Sequence, residues 1–351
     1  MPNSSKPCIA VDAMGGDFGV EVAVVGALEA VRDDEIDVVL VGREPEIKAC
    51  LPKAESIPGI SIRHAEEVVS MSDKPSDMLR RKKDSSIQVA CRLVREGLAH
   101  GVVSAGNSGA TLASGMFILG RIEGIERPGL ATILPTEREP IVLIDVGGNV
   151  DCKPYNLVQF GFMADVLARD VLGRKNPKVG ILNIGEEEGK GNFLTKETHT
   201  LFKLTGLNFI GNVEGRDIFT GNADVIVCDG FVGNVALKLS EGLSTSLIKM
   251  LRQELFGTWV DRIGTFLARK AFRRYKKKVD YAEYGGALLL GLKGIAVVCH
   301  GASNSRAITK AVQMAATFVR NQANEHLEQG LAANKNLGVF AKRALPARKP
   351  A

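Results

Sequence analysis

Lys190 stands in a glycine-rich turn, Gly185-Glu186-Glu187-Glu188-Gly189-Lys190-Gly191, which follows the apolar run 178–182 after Asn183 and Ile184. An ammonium held there can bind and orient an anion such as phosphate. It can equally be a solvated charge that balances the three glutamates before it. Asn234, in the stretch DGFVGN from residue 229, offers an amide that can donate to an oxyanion or cap a helix. Asn107, Ser108 and Gly109 in AGNSGA, and Gly233 beside Asn234, suit an anion in a related way. Glycine lets backbone N–H groups come close to the charge, and a helix N-terminus behind it adds a favourable dipole. The alternative at each turn is that glycine merely permits a sharp strand-to-helix connection. His300 is either a general acid or base or a histidine that closes a strand. Asp12 precedes the pair Gly15–Gly16; with Asp17, Asp145 and Asp151 it either braces loops by accepting N–H bonds or holds a metal. The wide spacing of these aspartates favours no metal site.

Strand–turn–helix units must position these groups. Six apolar runs, 8–11, 100–104, 140–144, 178–182, 223–228 and 294–299, each end in a polar, glycine-bearing turn. Segments with apolar residues at three- and four-residue steps follow at 20–31, 108–119, 157–172, 232–251 and 303–319, with a further helix near 87–97. Runs such as IVLI and VIVC lack alternation, as strands buried on both faces do. The pattern predicts a three-layer α/β/α sandwich with a mostly parallel sheet. In such a sheet the carboxyl ends share one edge, so the six turns are expected to converge on one rim.

Other chemistries lack their signatures. The 185–191 turn has neither the spacing nor the Ser/Thr of a P-loop, and no dinucleotide fingerprint, nucleophile elbow or H-E-x-x-H is present. The six cysteines are widely separated, which argues against a metal or redox pair and for a reducing, cytoplasmic setting. MPNSSKPCIA has no apolar core, so no secretion signal is expected, and no run is long enough to span a membrane. Net charge is +5, yet residues 269–278 carry seven basic groups and 335–351 carry five, leaving a mildly acidic body. We read residues 1–330 as a single catalytic α/β domain with a helical insertion at about 245–283. Residues 331–351 are read as a basic, poorly ordered tail.

Taken in order, DAMGGD, SAGNSGA, DVGGNVD, NIGEEEGKGN, DGFVGNVALK, YGGALLLG and CHGAS extend across residues 12–303, with RRKKDSS at 80–86. The series resembles the bacterial phosphate acyltransferases of phospholipid synthesis, the PlsX family. That resemblance implies transfer of a fatty acyl group from acyl carrier protein to inorganic phosphate, on a fold similar to isocitrate and isopropylmalate dehydrogenases. It also implies a homodimer without a nucleotide or a required tightly bound metal. Such an enzyme is cytoplasmic, touches the inner face of the membrane peripherally, and hands acyl phosphate to a membrane glycerol-phosphate acyltransferase. Phosphate is then itself the nucleophile, so no serine or cysteine elbow is needed. Lys190 would hold the phosphate and Asn234 would donate to the oxyanion, helped by helix-start amides around Gly233. Asp12, Gly15, Gly16, Asn107, Ser108, Gly109 and His300 would line the substrate rim. Ser108, Gly148, Leu288 and Ala302 stand where that family would be expected to carry Thr, Ala, Pro and Ser; none of these removes a group the chemistry needs. The alternatives are a phosphate acetyltransferase-like enzyme using an acyl-coenzyme A, or a non-catalytic membrane-bound scaffold.

The stretch LFGTWVDRIGTFLARKAFRRYKKK (255–278) puts Trp259, Ile263 and Phe266 at helical steps ahead of Arg269, Lys270, Arg273 and Arg274. An apolar aromatic face followed by basic residues suits an anionic bilayer. The alternative is a helix packed on its own core or on a dimer mate. The basic run, or RRKK at 80–83, also suits docking of acidic acyl carrier protein. An acidic body without a reader motif argues against nucleic acid.

Overall fold

Strands buried on both faces need apolar residues pointing both ways, and the chain supplies them. Ile9 and Val11 pack into one core cluster while Ala10 between them packs into another. Val142 and Ile144 likewise face one cluster, and Ile141 and Leu143 the opposite one. In the computed structural model, residues 6–33, 35–52, 57–279 and 284–333 are described. The expected tail therefore lies outside the described residues from 334 onward, as do positions 280–283 at the end of the expected insertion.

The strands are β1 (Cys8–Asp12), β2 (Asp37–Gly42), β3 (Ile60–His64), β4 (Gly101–Ser104), β5 (Gly129–Leu134), β6 (Ile141–Ile144), β7 (Val179–Asn183), β8 (Phe209–Glu214), β9 (Val225–Val227), β10 (Ala287–Leu290) and β11 (Ile295–Val298). They form one sheet in the order β3-β2-β1-β4-β11-β10-β5-β6-β9-β7-β8. The helices are α1 (Val20–Asp33), α2 (Glu44–Cys50), α3 (Pro75–Arg81), α4 (Ser86–Arg95), α5 (Ser108–Ser114), α6 (Pro154–Asp170), α7 (Phe193–Phe202), α8 (Gly230–Leu255), α9 (Trp259–Val279), α10 (Ser305–Arg320) and α11 (Ala323–Ala333). Residues of α1, α10, α11, α6 and α7 build the core on one face of the sheet. The other face is covered by α4 at one end, and by Ala236 and Leu237 of α8 with Ile218 at the other. This is the expected three-layer α/β sandwich. Residues 331–333, read with the tail, complete α11.

One expectation is corrected. β1, β4 and β11 run parallel, but β10 is antiparallel to β11, β5 to β10 and β6 to β5, after which β9 and β7 run parallel to β6. Three reversals leave the two halves of the sheet pointing in opposite directions. The glycine-bearing turns therefore gather at two opposite edges and not on one rim.

Candidate functional site

At the first edge, the turns after β1, β4 and β11 interlock. Asp12 is buried and accepts from Ser104 Oγ at 2.7 Å and from the Met14 amide at 3.2 Å, with Ser86 and the Gly15 amide also bonded to it. Burial nevertheless pushes its carboxyl above the ordinary range, against those bonds. Gly15 approaches so closely that a Cβ there would stand 2.6 Å from the Gly106 nitrogen. Gly16 turns at φ +102°, and the Asp17 amide donates to the Gly301 carbonyl at 2.8 Å. Asn107 uses its whole side chain structurally. Its Oδ1 caps α5 at the Ala110 amide, and its Nδ2 donates to the carbonyls of Ser70, Met71 and Asp73. Gly109 packs under Pro75, 2.8 Å from where its Cβ would be. Ser108 and His300 face solvent, and the His300 Nδ1 accepts from the Ala302 amide at 3.1 Å, leaving Nε2 outward. This edge is a braced knot in which Asp12 holds loops. Among the described residues, no group of three or more His, Cys, Asp or Glu side chains converges as a metal site.

At the second edge, Asp145 directly follows β6 and is fully buried. Its Oδ1 accepts from the amides of Gly148 (2.8 Å), Gly147 (3.2 Å) and Leu130 (3.2 Å), and its Oδ2 from Asn149 Nδ2 (2.7 Å). Burial raises this carboxyl too. Helix α8 begins against that turn. Asp229 caps it, its Oδ1 accepting from the amides of Phe231 and Val232 at 3.0 Å each, and the Gly230 amide donates to the Asn149 carbonyl at 2.7 Å. Asn234 is therefore in the second turn and is not the cap. The Gly233 amide already donates to the Asp229 carbonyl at 3.0 Å, so it cannot cradle phosphate as the sequence suggested. Gly233 serves by having no side chain. The Asn234 side chain is partly buried and lies over Gly147, where an added Cβ would stand 3.5 Å from it.

Since β7 neighbours β9, the turn after β7 lies beside that helix start. It carries Lys190, whose side chain is 52 % exposed and whose Nζ, among the described residues, pairs only with Glu187, at 4.0 Å. The other two glutamates have other partners. Glu186 pairs with Arg216 at 3.5 Å, and Glu188 pairs with Lys203 at 2.5 Å, which holds its carboxyl low. Lys190 is thus not the counter-ion of the whole acidic run. Two asparagines that sequence reasoning missed grip the turn. Asn183, at the end of β7, donates to the Lys190 carbonyl at 3.2 Å, and Asn212, from β8, donates to the Glu187 carbonyl at 2.9 Å. Asn183 closes an apolar run and was visible as a strand end. Asn212 sits in a strand interrupted by Gly211 and gave no signal.

Outside both edges, α9 leaves its apolar face uncovered: Trp259 is 74 % and Phe266 61 % exposed, with Ile263 also exposed. It is therefore not packed on its own core. It is tied to the end of α8 by Thr265 Oγ1 on the Leu255 carbonyl (3.0 Å) and Arg262 Nε on the Phe256 carbonyl (3.3 Å). Arg269 lies 4.4 Å over the Phe266 ring, and Lys270, Arg273 and Arg274 are exposed beyond it. Along α8, Val235, Leu239 and Leu243 form a second exposed apolar stripe. Among the described residues no helix is long and apolar enough to cross a membrane. In RRKK, Lys82 is tied to Asp73 at 2.6 Å and to the Val68 carbonyl, while Arg80, Arg81 and Lys83 are exposed.

A family model described as "Fatty acid synthesis protein" matches residues 8–326. A phosphate acyltransferase of Nitratidesulfovibrio vulgaris (strain DP4) is 59% identical over 337 residues, covering 95% of this chain and 97% of its own. One of Lawsonia intracellularis (strain PHE/MN1-00) is 57% identical over 343 residues, covering 97% and 99%. Among solved structures, a phosphotransacetylase from Streptococcus pyogenes superposes with a TM-score of 0.62 at 17% identity, over 92% of this chain and 95% of its own. A branched-chain phosphotransacylase from Enterococcus faecalis V583 follows at 0.54 and 15%, over 90% of this chain and 98% of its own. Both share the fold.

Proposed function

This chain belongs to the phosphate acyltransferase family, and we propose that it moves a fatty acyl group from the thioester of acyl carrier protein to inorganic phosphate, releasing acyl phosphate for phospholipid synthesis. It is an acyltransferase, which sets the scaffold reading aside. The observation that carries the finer reading is Lys190, a sparsely paired ammonium on a pinned turn, beside the helix start that presents the Asn234 amide. Lys190 offsets the charge of the phosphate dianion and orients it. A phosphate oxygen attacks the thioester carbonyl carbon, forming a C–O bond and an oxyanion to which Asn234 donates. Collapse breaks the C–S bond, and the departing thiolate takes a proton from solvent. On the first knot, at the edge opposite Lys190 and Asn234, Ser108 and His300 face solvent away from the reacting atoms, and Asp12, Gly15, Gly16, Asn107 and Gly109 hold that knot in shape.

The exposed faces fit the remaining partners. The α8 stripe suits a second copy in a homodimer, since long unpaired apolar stripes are rare on free surfaces. Trp259, Ile263 and Phe266 with Arg269, Lys270, Arg273 and Arg274 suit the anionic inner face of the cytoplasmic membrane. That is where a membrane glycerol-phosphate acyltransferase would take the product. Arg80, Arg81 and Lys83 give acidic acyl carrier protein a docking patch.

The test supplies phosphate with either palmitoyl-acyl carrier protein or palmitoyl-coenzyme A and traps acyl phosphate with hydroxylamine. Product from the carrier-protein thioester is expected. Product from the coenzyme A thioester alone would shift the reading to a phosphotransacetylase-like donor, and product from neither would contradict it.

A further inference from the structure

We propose that Asn212 and Asn183 are positioning residues for Lys190, locking the backbone of its turn so that the ammonium meets phosphate from a fixed base. The inference rests on the reading of Lys190 as the phosphate-holding group. The Glu187 carbonyl receives two donors, the Lys190 amide at 3.0 Å, which closes the turn, and Asn212 Nδ2 at 2.9 Å. At the other end, the Lys190 carbonyl receives Asn183 Nδ2 at 3.2 Å, while Asn183 Oδ1 accepts from the Ile184 amide at 2.9 Å. Both ends of the turn are therefore pinned to neighbouring strands. Its middle is pinned as well, since Glu188 pairs with Lys203 at 2.5 Å and lies 3.7 Å from His199 Nδ1, both on or at the end of helix α7. Gly191, just past the lysine, turns at φ +94°, and a Cβ there would stand 2.1 Å from Thr195 Oγ1 and 2.4 Å from Asn183 Oδ1.

Asn212 is an expensive residue to keep in this place unless its amide is needed. It is buried, and its Oδ1 has no hydrogen-bond partner. An unpaired buried acceptor is destabilising, and an apolar side chain would avoid that penalty. Turning the amide over would set Oδ1 against the Glu187 carbonyl oxygen, so the donor to Glu187 is the one group that accounts for it. Packing and hydrogen bonds behind a functional group fix its geometry before substrate arrives, and here they fix the main chain while leaving the Lys190 tip open.

The experiment uses the full chain. Inorganic phosphate binding is measured by calorimetry and acyl phosphate formation by kinetics with varied phosphate, for wild type, Asn212→Ala, Asn183→Ala, and each of these combined with Lys190→Ala. Loss of either hydrogen bond should weaken phosphate binding and raise the phosphate KM by about tenfold. The acyl-donor KM should stay within about twofold of wild type by the same reasoning. In the Lys190→Ala background neither asparagine change should weaken phosphate further, because the effect acts through the lysine. Asn183 is only partly buried, so its variant answers the question if Asn212→Ala does not fold. Unchanged phosphate binding with a lower melting temperature or a lower kcat would make both residues merely structural and overturn the proposal. Lys190→Ala that binds phosphate normally would remove the reading beneath it. Lys190→Ala that loses phosphate while both asparagine variants keep it would overturn the positioning role alone.

Discussion

Gly233 and Asp145 meet so closely that a Cβ on the glycine would stand 1.9 Å from the Asp145 carbonyl oxygen and 2.8 Å from Cys228 Sγ. The contact joins the end of β6 to the first turn of α8, and it sets where Asn234 emerges. Because the clash is with backbone, it cannot be relieved by rotating a side chain. Gly233→Ala should lose about 1–3 kcal/mol of stability, the usual range for overpacking a tight site, and most of its activity. Gly189, whose added Cβ meets nothing within 4 Å, is the control and should tolerate alanine. Urea unfolding of the two variants checks this, and equal stabilities would remove the tight seam from the account.

Burial raises the Asp12 carboxyl, so the folded chain keeps its proton to higher pH than the unfolded chain does. The stability this group contributes is full below the unfolded value of about 4 and is lost as pH rises through the folded value. Asp12→Asn removes the titration. Measured by urea unfolding across pH, the variant should gain on wild type as pH rises from about 4 and then level off. A constant gap between the two at every pH would show that this carboxyl titrates alike in both states.

Much of this architecture could be read in the sequence because strands buried on both faces are continuous apolar runs, and each of β1, β4, β6, β7, β9 and β11 is one. What could not be read was direction. β5 and β10 carry the reversals, and nothing local in GLATIL or ALLL says which way a strand runs beside its neighbours. The expected single rim therefore became two edges. The apolar periodicity starts at 232, whereas α8 starts at Gly230 with Asp229 as its cap, so the Gly233 amide is already bonded within the helix. Asn212 escaped because its partner Glu187 is 25 residues away on another turn. Lys190 stood out, since a lysine between glycines past a strand end is conspicuous without any structure.

The apolar and basic faces of α9 predict binding to phosphatidylglycerol vesicles and little to phosphatidylcholine. Each basic residue near an anionic surface contributes about 1 kcal/mol, so Arg269→Ala with Lys270→Ala should weaken binding by about thirtyfold. Co-sedimentation at fixed ionic strength measures it. Equal binding to both lipids would point the face elsewhere.

The α8 stripe predicts association. Leu243, 57 % exposed in the single chain, should be covered in a dimer. Leu243→Arg should then shift sedimentation velocity from dimer to monomer without lowering the helical signal, whereas an unchanged sedimentation coefficient would place any dimer contact elsewhere.

The most direct measurement is acyl phosphate formation from acyl carrier protein thioester and inorganic phosphate by wild type, Lys190→Ala and Asn234→Ala, each checked for folding. The account predicts product from wild type. Asn234→Ala, which removes the oxyanion donor, should cost about a hundredfold to a thousandfold in rate, and Lys190→Ala should lose rate through weakened phosphate binding. Folded variants that form acyl phosphate at the wild-type rate would contradict it.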